Sequence, residues 1–196
     1  MKKIILALIL VLSLSVLTFA NELPENIFDA NSLQIHMRKN FYYGNDRLIP
    51  NYFEYVQLPN ILEFTKVGDC DDFAVYSFYY LSIMNYEAQP YILFIKDNDK
   101  IEGHAITVFL DSDNTYSIFS NRLILKTLKT DPIDAIKDVY KDWQAILKWY
   151  PSKFGYLTEK DIYDNCIPVE FININTTMLY YLSFLDFIKI ETINYE

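Results

Sequence analysis

Between residues 70 and 124, the spacing of apolar residues changes from a helical to a strand-like period, and this change restricts the possible folds more than any other feature. The helical part follows Cys70 and consists of residues spaced along one helix face: Phe73, Tyr76, Ser77, Tyr80, Leu81 and Met84. Three strand-like runs come next, at 91–95, 104–110 and 115–124, with short turns rich in Asp and Asn between them. The pattern predicts a helix packed on an antiparallel sheet, which is an α+β fold.

The segments outside this stretch are less regular. A short helix is predicted over 33–40, and residues 46–67 are predicted to be irregular because two prolines interrupt them. A second long helix is predicted over 131–150, since Pro132 suits the first helical position and the helical period continues as far as Pro151. This helix is expected to make the C-terminal part mostly helical.

The first 20 residues have the pattern of a secretory signal peptide. Lys2 and Lys3 precede an uncharged apolar stretch, and small residues at Thr18 and Ala20 form a cleavage site. An uncleaved membrane anchor is the competing interpretation, because the apolar stretch approaches the length of a transmembrane helix. Cleavage would give an exported protein, periplasmic or extracellular, with no integral membrane segment. The expected organisation is a signal peptide at 1–20, a core at 21–130 and an extension packed on the same domain at 131–196.

Charge narrows the range of partners. The chain has 26 acidic and 17 basic residues, a net charge of −9. An acidic surface disfavours nucleic acids and anionic membranes as partners. Aromatic residues make up 17% of the chain, which is enough apolar area for a core and excludes a disordered protein.

Candidate chemistry is concentrated at Cys70 and His104. The sequence has only four glycines, and Gly68 and Gly103 lie beside these two residues. Cys70 is placed at the start of the predicted helix, where unpaired N–H groups and the helix dipole favour a thiolate. His104 begins a predicted strand and could pair with that thiolate and then act as a general acid. A cysteine and a histidine so placed are the minimum for nucleophilic catalysis by a thiol.

The predicted hairpin supplies a third member, Asn121. If residues 111–114 form the turn, Leu110 pairs with Thr115, and counting back places His104 directly across from Asn121. An amide oxygen there could accept the imidazole Nδ1–H and fix the tautomer. A slip of one residue would instead bring Ser120 or Arg122 to this position.

Simpler interpretations of these residues stay open. Taken alone, Cys70 could be a small buried residue and His104 a strand histidine with satisfied hydrogen bonds. Asp71 and Asp72 are expected to be a solvated or capping first turn, and no metal or cofactor is predicted. A disulfide between Cys70 and Cys166 would make the protein an inert secreted domain.

The heptapeptide Gly-Asp-Cys-Asp-Asp-Phe-Ala at 68–74 and the run His-Ala-Ile-Thr-Val at 104–108 resemble the transglutaminase-like (papain-like) superfamily, especially its bacterial transglutaminase-like cysteine protease branch. The resemblance covers roughly residues 33–125 and departs from the family at the third member, where Asn121 takes the usual place of an Asp. It implies that Cys70 is the nucleophile and that His104 is the general base and acid.

The resemblance therefore implies an exported cysteine hydrolase, a peptidase or amidase, acting on a protein or peptide through a thioester. Hydrolysis is favoured over crosslinking, because a crosslinking enzyme must also bind an amine and exclude water. The alternative is a catalytically inactive binding or scaffold protein of the same fold, since a fold does not guarantee its chemistry.

Overall fold

The computed structural model describes residues 24–45, 54–97 and 100–171. The predicted signal peptide at 1–20 and the end of the predicted C-terminal extension lie outside these ranges. Within them, the helices are α1 (Ala30–Asn40), α2 (Pro59–Thr65), α3 (Cys70–Ile83), α4 (Pro132–Val139) and α5 (Glu159–Tyr163). The strands are β1 (Tyr42–Tyr43), β2 (Glu54–Val56), β3 (Val67–Gly68), β4 (Ala88–Asp97), β5 (Lys100–Leu110), β6 (Tyr116–Ser120), β7 (Leu123–Lys126), β8 (Trp143–Trp149), β9 (Gly155–Leu157) and β10 (Cys166–Phe171).

A six-stranded antiparallel sheet organises the molecule. Its strand order is β10-β8-β4-β5-β6-β7. Two small two-stranded sheets, β1 with β3 and β2 with β9, lie outside it. The predicted α+β class, with a helix that begins at the cysteine packed on an antiparallel sheet, is confirmed.

Helix α3 forms where its spacing predicts. Asp69 and Asp72 make a capping box at its N-terminus, which satisfies N–H groups that a helix otherwise leaves unpaired. Phe73, Tyr76 and Leu81 are fully buried, and the hydroxyl of Thr107 on β5 donates to the carbonyl of Ala74. The apolar face of α3 therefore lies against the sheet, which holds the helix N-terminus at a defined place beside β5.

Helices cover both faces of the sheet. On one face, α1, α2 and α3 pack around a core that includes Leu33, Leu62, Phe73 and Phe109. On the other, α4 contributes Ile136 to a separate core. Strand β5 belongs to both cores, because alternate residues of a strand point to opposite faces.

The third predicted strand is two strands. Residues 115–124 contain β6 and β7, which pair with each other across a turn at Asn121 and Arg122. Asn121 has a φ of 51°, a left-handed conformation that Asn tolerates better than most residues. An Asn between two apolar runs is typical of a turn. The prediction of one uninterrupted strand over this segment is therefore wrong.

The long helix predicted over 131–150 is also wrong. Helix α4 ends at Val139, and residues 143–149 form β8, which lies between β4 and β10 inside the sheet. The aromatic and branched side chains of β8 satisfy a helical period, but neighbouring strands on both sides provide hydrogen bonds for its backbone. The prediction of a mostly helical extension fails for the same reason, because β8, β9 and β10 make up much of the described part.

The stretch predicted to be irregular contains regular structure from residue 54 onward. It forms β2, α2 and β3, and Pro59 occupies the first turn of α2 instead of breaking it. In the described ranges, no helix combines the length and the apolar character needed to cross a membrane.

Candidate active site

Cys70 is the first residue of α3 and is half-buried. Strand β6 ends at Ser120, opposite Ile106, so β5 has no partner on that side at His104 and Ala105 among the described residues. The backbone N–H of Ala105 donates a hydrogen bond to the Cys70 thiol. The thiol therefore lies at this open edge of β5, beside the peptide that follows His104.

Ser120 and Tyr140 position the imidazole of His104. Its Nε2 lies 3.0 Å from Ser120 Oγ, and the Tyr140 hydroxyl donates to the same oxygen at 2.8 Å. The ring of Tyr140, which caps the C-terminal end of α4, packs against the imidazole with centroids 5.8 Å apart. These contacts fix the orientation of the imidazole, and no hydrogen bond to Nδ1 is made by a described residue.

The predicted partner of His104, Asn121, does not make this contact. Leu110 pairs with Tyr116, not with Thr115, because the turn after β5 has five residues instead of four. Continued to His104, this register corresponds to Arg122 and not to Asn121; Ser120, which lies opposite Ile106 on the same face of the sheet, reaches the imidazole from the neighbouring pair. Asn121 lies in the turn after β6, and its buried Oδ1 has no hydrogen-bond partner among the described residues.

Cys70 and His104 line one cavity of about 200 Å³. Ile92, Trp149 and Ile162 supply apolar walls, and Glu54 and Asp71 supply acidic groups. A nucleophile, an oriented imidazole and a space for a ligand are the parts that acyl transfer requires.

The Cys70–His104 pair is neutral in this structure. Burial raises the pKa of the Cys70 thiol to about 12; the hydrogen bond from Ala105 opposes this rise, and the charges of Asp69 and Glu54 add to it. Burial also lowers the pKa of His104. At neutral pH the site therefore contains a thiol and an imidazole, and not the thiolate–imidazolium pair expected from the sequence.

Three carboxyl groups crowd the cysteine. Glu54, Asp69 and Asp71 bring oxygens within 4.8 Å of one another. Asp71 and Asp72 are buried, so the first turn is not solvated, and the alternative expectation of a capping role is confirmed for Asp72, which forms the capping box with Asp69. Burial raises the pKa of Asp71, and the adjacent carboxyl of Asp69 and the charges of Asp72 and Glu54 raise it further.

Such a group needs a compensating positive charge. Asp69 Oδ1 and Asp71 Oδ2 are buried, and neither has a hydrogen-bond donor among the described residues. Like-charged buried carboxylates are stable only if a proton or a cation lies between them. No metal was predicted, yet the oxygens of Glu54, Asp69 and Asp71 form a ligand set suited to a hard divalent cation such as Ca²⁺.

Asp72 has a structural role. It accepts hydrogen bonds from the backbone N–H and the side-chain amide of Gln57, each at 2.6 Å. Gln57 precedes α2, so this buried pair ties the start of α3 to the segment that contains Glu54.

The second cysteine and the second histidine lie elsewhere. Cys166 is buried on β10 with a free thiol, and Cys70 is also free, so the structure contains no Cys70–Cys166 disulfide. His36 is buried on α1, and its Nε2 is 2.8 Å from the Glu63 carboxylate.

The sequence did not identify Tyr140 or Glu54 as site residues, and Ser120 was considered only as the residue that a shifted strand register would bring to His104. Tyr140 was placed inside a continuous helix, and Glu54 in an irregular segment. Only the Asn-Arg turn after β6 was a readable signal, because it ends the strand at Ser120.

No protein-family model matches the chain, and no curated protein matches it. Among solved structures, LapG from Legionella pneumophila is similar, with a TM-score of 0.40 and 16% identity over 63% of this chain and 66% of that chain. EGTA-treated LapG gives 0.39 and 17% over 63% and 68%, and calcium-bound LapG gives 0.41 and 15% over 79% and 78%. The first match spans just under two thirds of that LapG chain. The likeness is distant, so the function of this chain has to be argued from its own residues.

Proposed function

We propose that this chain is an exported cysteine hydrolase of the transglutaminase-like type, a peptidase or amidase with Cys70 as nucleophile. The observation that carries the proposal is that Cys70 and an imidazole oriented by Ser120 share one cavity. The heptapeptide around Cys70 supports it, because its Gly-Asp-Cys-Asp-Asp-Phe-Ala order is that of the family resembled.

His104 acts first as a base. When Nε2–H donates to Ser120 Oγ, Nδ1 keeps its lone pair and takes the proton from the thiol as sulfur attacks the carbonyl carbon of the substrate. An S–C bond forms, and the carbonyl π pair moves to oxygen. The backbone N–H of Cys70, at the start of α3, is the natural donor to this oxyanion.

His104 then acts as an acid. The imidazolium gives its proton to the departing nitrogen, the C–N bond breaks and an amine leaves a thioester on Cys70. Water attacks the thioester carbon while His104 removes a proton from it. The C–S bond breaks, the carboxylic acid leaves, and the proton on His104 returns to the thiol.

The proposed setting is outside the cytoplasm, with a protein or peptide as substrate. The signal-like first 20 residues support export, and the acidic composition disfavours nucleic acid. The cavity at Cys70 lies between apolar walls, which suits a peptide with apolar groups near the scissile bond.

The test is the rate at which a blocked dipeptidyl vinyl sulfone alkylates Cys70, resolved from Cys166 by peptide mass spectrometry. We expect Cys70 to react much faster than Cys166, and His104→Ala to slow Cys70 by about 100-fold, since the base that removes the thiol proton is lost. Cys166 is buried, so its rate in each variant also reports unfolding.

The matched control is the other histidine. His36→Ala should leave the rate at Cys70 within about twofold at a temperature where the variant is folded. Equal rates for Cys70 and Cys166, unchanged in His104→Ala, would contradict the proposed hydrolase.

A second candidate function is a binding protein that keeps the fold without the chemistry. The neutral pair and the hydroxyl partner of His104 favour it, because no carboxylate of the described residues forms a hydrogen bond with the imidazole that would stabilise an imidazolium. It predicts that peptides bind equally well to the unaltered chain and to Cys70→Ala and are cleaved by neither.

A further inference from the structure

A second cavity, of about 540 Å³, lies on the far side of Ser120 from the thiol. Its polar lining consists of Arg38, Tyr43, Ser120, Asn121 and Arg122, and Leu123 forms part of its apolar wall. Ser120 contacts His104, which lines the cavity at Cys70, so one hydrogen bond connects the walls of the two cavities. We call this second space the arginine cavity.

The arginine cavity and the cavity at Cys70 carry opposite charges. Glu54 and Asp71 line the space at Cys70, whereas the residues lining the arginine cavity include two guanidinium groups and no carboxylate. The whole sequence has three arginines, and two of them meet here in a chain with a net charge of −9. Among the described lining residues, a ligand that crosses both spaces would therefore encounter positive charge only on the Ser120 side.

Arg122 is held in place but not neutralised. Its Nη1 donates to the carbonyl of Phe41, a neutral acceptor that fixes the plane of the guanidinium. Neither Arg122 nor Arg38 forms an ion pair with an acidic side chain of the described ranges. A guanidinium fixed in orientation, with free N–H groups, suits a carboxylate, which it can bind through two parallel hydrogen bonds.

Each of these features also has a structural explanation. Arg38 lies in the last turn of α1, where a cation suits the helix dipole, and Arg122 ties the turn after β6 to Phe41. Neither explanation accounts for Asn121. Its buried Oδ1 lacks a donor among the described residues, which is costly, and a backbone N–H of a bound peptide could satisfy it after a small rotation of the side chain.

Tyr43 connects this cavity to the chemistry. Burial raises the pKa of Tyr43 to about 12, and the charges of Cys70, Asp69 and Asp71 add to the rise. Tyr43 pairs with Gly68, two residues before Cys70, and its ring packs against Phe73 of α3, so this residue of the arginine cavity also lies beside the thiol end of α3. A peptide lying across Cys70 could place its next residues between Tyr43 and Ser120.

We infer that the arginine cavity binds a carboxylate of the peptide substrate, at a position on the Ser120 side of the scissile bond. That the bound peptide is a substrate rests on the proposed hydrolase, whereas binding of the carboxylate does not depend on it. The carboxylate is either an acidic side chain or the free C-terminus of the peptide, since both present the same planar group.

The experiment measures binding in Cys70→Ala, so that no peptide is turned over. The probes are dye-labelled alanine heptapeptides with a blocked N-terminus: one set with glutamate at each position and an amidated C-terminus, the same set with glutamine, and one peptide with a free C-terminus. We expect at least one glutamate peptide, or the peptide with a free C-terminus, to bind about tenfold more tightly than its neutral counterpart. The two arms distinguish a side-chain carboxylate from a terminal one.

Variants locate the effect. Arg38→Gln with Arg122→Gln should reduce the preference to below about twofold, and Arg122→Lys should restore only part of it, because Lys lacks the planar fork. Arg38→Gln alone, at an exposed position, gives a smaller loss without disturbing the Phe41 contact. Lys39→Gln removes a charge from the same turn outside the cavity and should leave the preference unchanged.

Equal binding of charged and neutral peptides, including no binding of either, would overturn the inference. So would a preference that survives the double variant or that Lys39→Gln also abolishes. Alkylation of Cys70 by the vinyl sulfone is measured separately in the chain that keeps the thiol. The hydrolase can therefore stand while the carboxylate site fails, and the reverse also holds.

Discussion

The two histidines of this chain lie in opposite kinds of surroundings. His36 is buried on α1, where Asn26 and Asn40 lie within hydrogen-bond distance of Nδ1 and the Glu63 carboxylate accepts from Nε2. His104 lies at the open edge of β5, where only Nε2 is engaged among the described contacts, and by the neutral hydroxyl of Ser120.

Their carboxylates differ in the same way. Glu63 receives hydrogen bonds from His36, Lys66 and Tyr76, so its charge is balanced. Near Cys70, Asp69 and Asp71 each bury an oxygen for which no described residue provides a donor. A histidine and a carboxylate whose hydrogen bonds are all made therefore indicate a structural site. A ring nitrogen without a hydrogen bond and carboxylates without a balancing charge indicate a site where a ligand can supply the missing contacts.

The largest expected effect comes from disrupting the hydrogen bonds and ion pairs around Glu63. Burial raises the pKa of Glu63, but hydrogen bonds from His36, Lys66 and Tyr76 outweigh it and bring the value to about 2. Glu63→Gln removes a partly buried ion-paired charge and should lower the free energy of unfolding at pH 7 by about 2–3 kcal/mol. Urea denaturation measures the loss, and Glu25→Gln, an exposed substitution, should change it by less than about 0.5 kcal/mol.

The pH dependence checks the cause. Because the pKa of Glu63 in the folded protein is about 2, below its value of about 4.5 in the unfolded chain, its contribution is complete above pH 4.5 and is lost as pH falls toward 2. The difference in stability between the unaltered chain and Glu63→Gln should therefore shrink over this range. A constant difference would mean that lost packing, and not lost charge, is responsible.

The next effect comes from completing the unsatisfied site. If a cation balances Glu54, Asp69 and Asp71, millimolar CaCl2 should raise the melting temperature by about 2–4 °C, as expected for a gain of about 1 kcal/mol in a chain of this size. Asp71→Asn should abolish the rise, whereas Asp138→Asn, at an exposed position on α4, should not. A rise reproduced by NaCl at equal ionic strength would show screening in place of binding.

The smallest effect tests how His104 is oriented. Ser120→Ala should slow vinyl sulfone alkylation of Cys70 by about tenfold, and Tyr140→Phe by about threefold, since phenylalanine keeps the ring beside the imidazole and loses only the hydrogen bond to Ser120. Ser120→Thr keeps the hydroxyl and should restore most of the rate. Tyr116→Phe removes a hydroxyl that contacts Glu87 instead and should have no effect.

A merely structural role for Ser120 makes a different prediction. It would slow alkylation equally at every pH, whereas loss of the orienting hydrogen bond also changes the pH at which the rate reaches half its maximum. Rates in Ser120→Ala that run parallel to those of the unaltered chain from pH 5 to 10 would contradict a positioning role.

Much of the fold could be predicted because local spacing and burial agree. Helix α3 has one apolar face and a capping residue at Asp69, and the apolar runs predicted as strands at 91–95 and 104–110 lie within β4 and β5, which pair with each other. The local pattern of β8 led to the wrong prediction of a helix, because its apolar residues fit both the helical and the strand-like period. Hydrogen bonds from β4 and β10 on either side decided between them, and these come from residues far away in the sequence.

Local patterns in the sequence were enough to predict that a helix begins at Cys70, that His104 lies on a strand and that the class is α+β. These depend on contacts within a few residues, such as a cap or a turn. Only the tertiary structure decided that Ser120 and not Asn121 holds His104, because a turn longer by one residue moves every later pair of the hairpin. The burial of Asp69 and Asp71 and the position of Arg38 near Arg122 could likewise not be predicted from the sequence. Both depend on how elements that are distant in the sequence pack together.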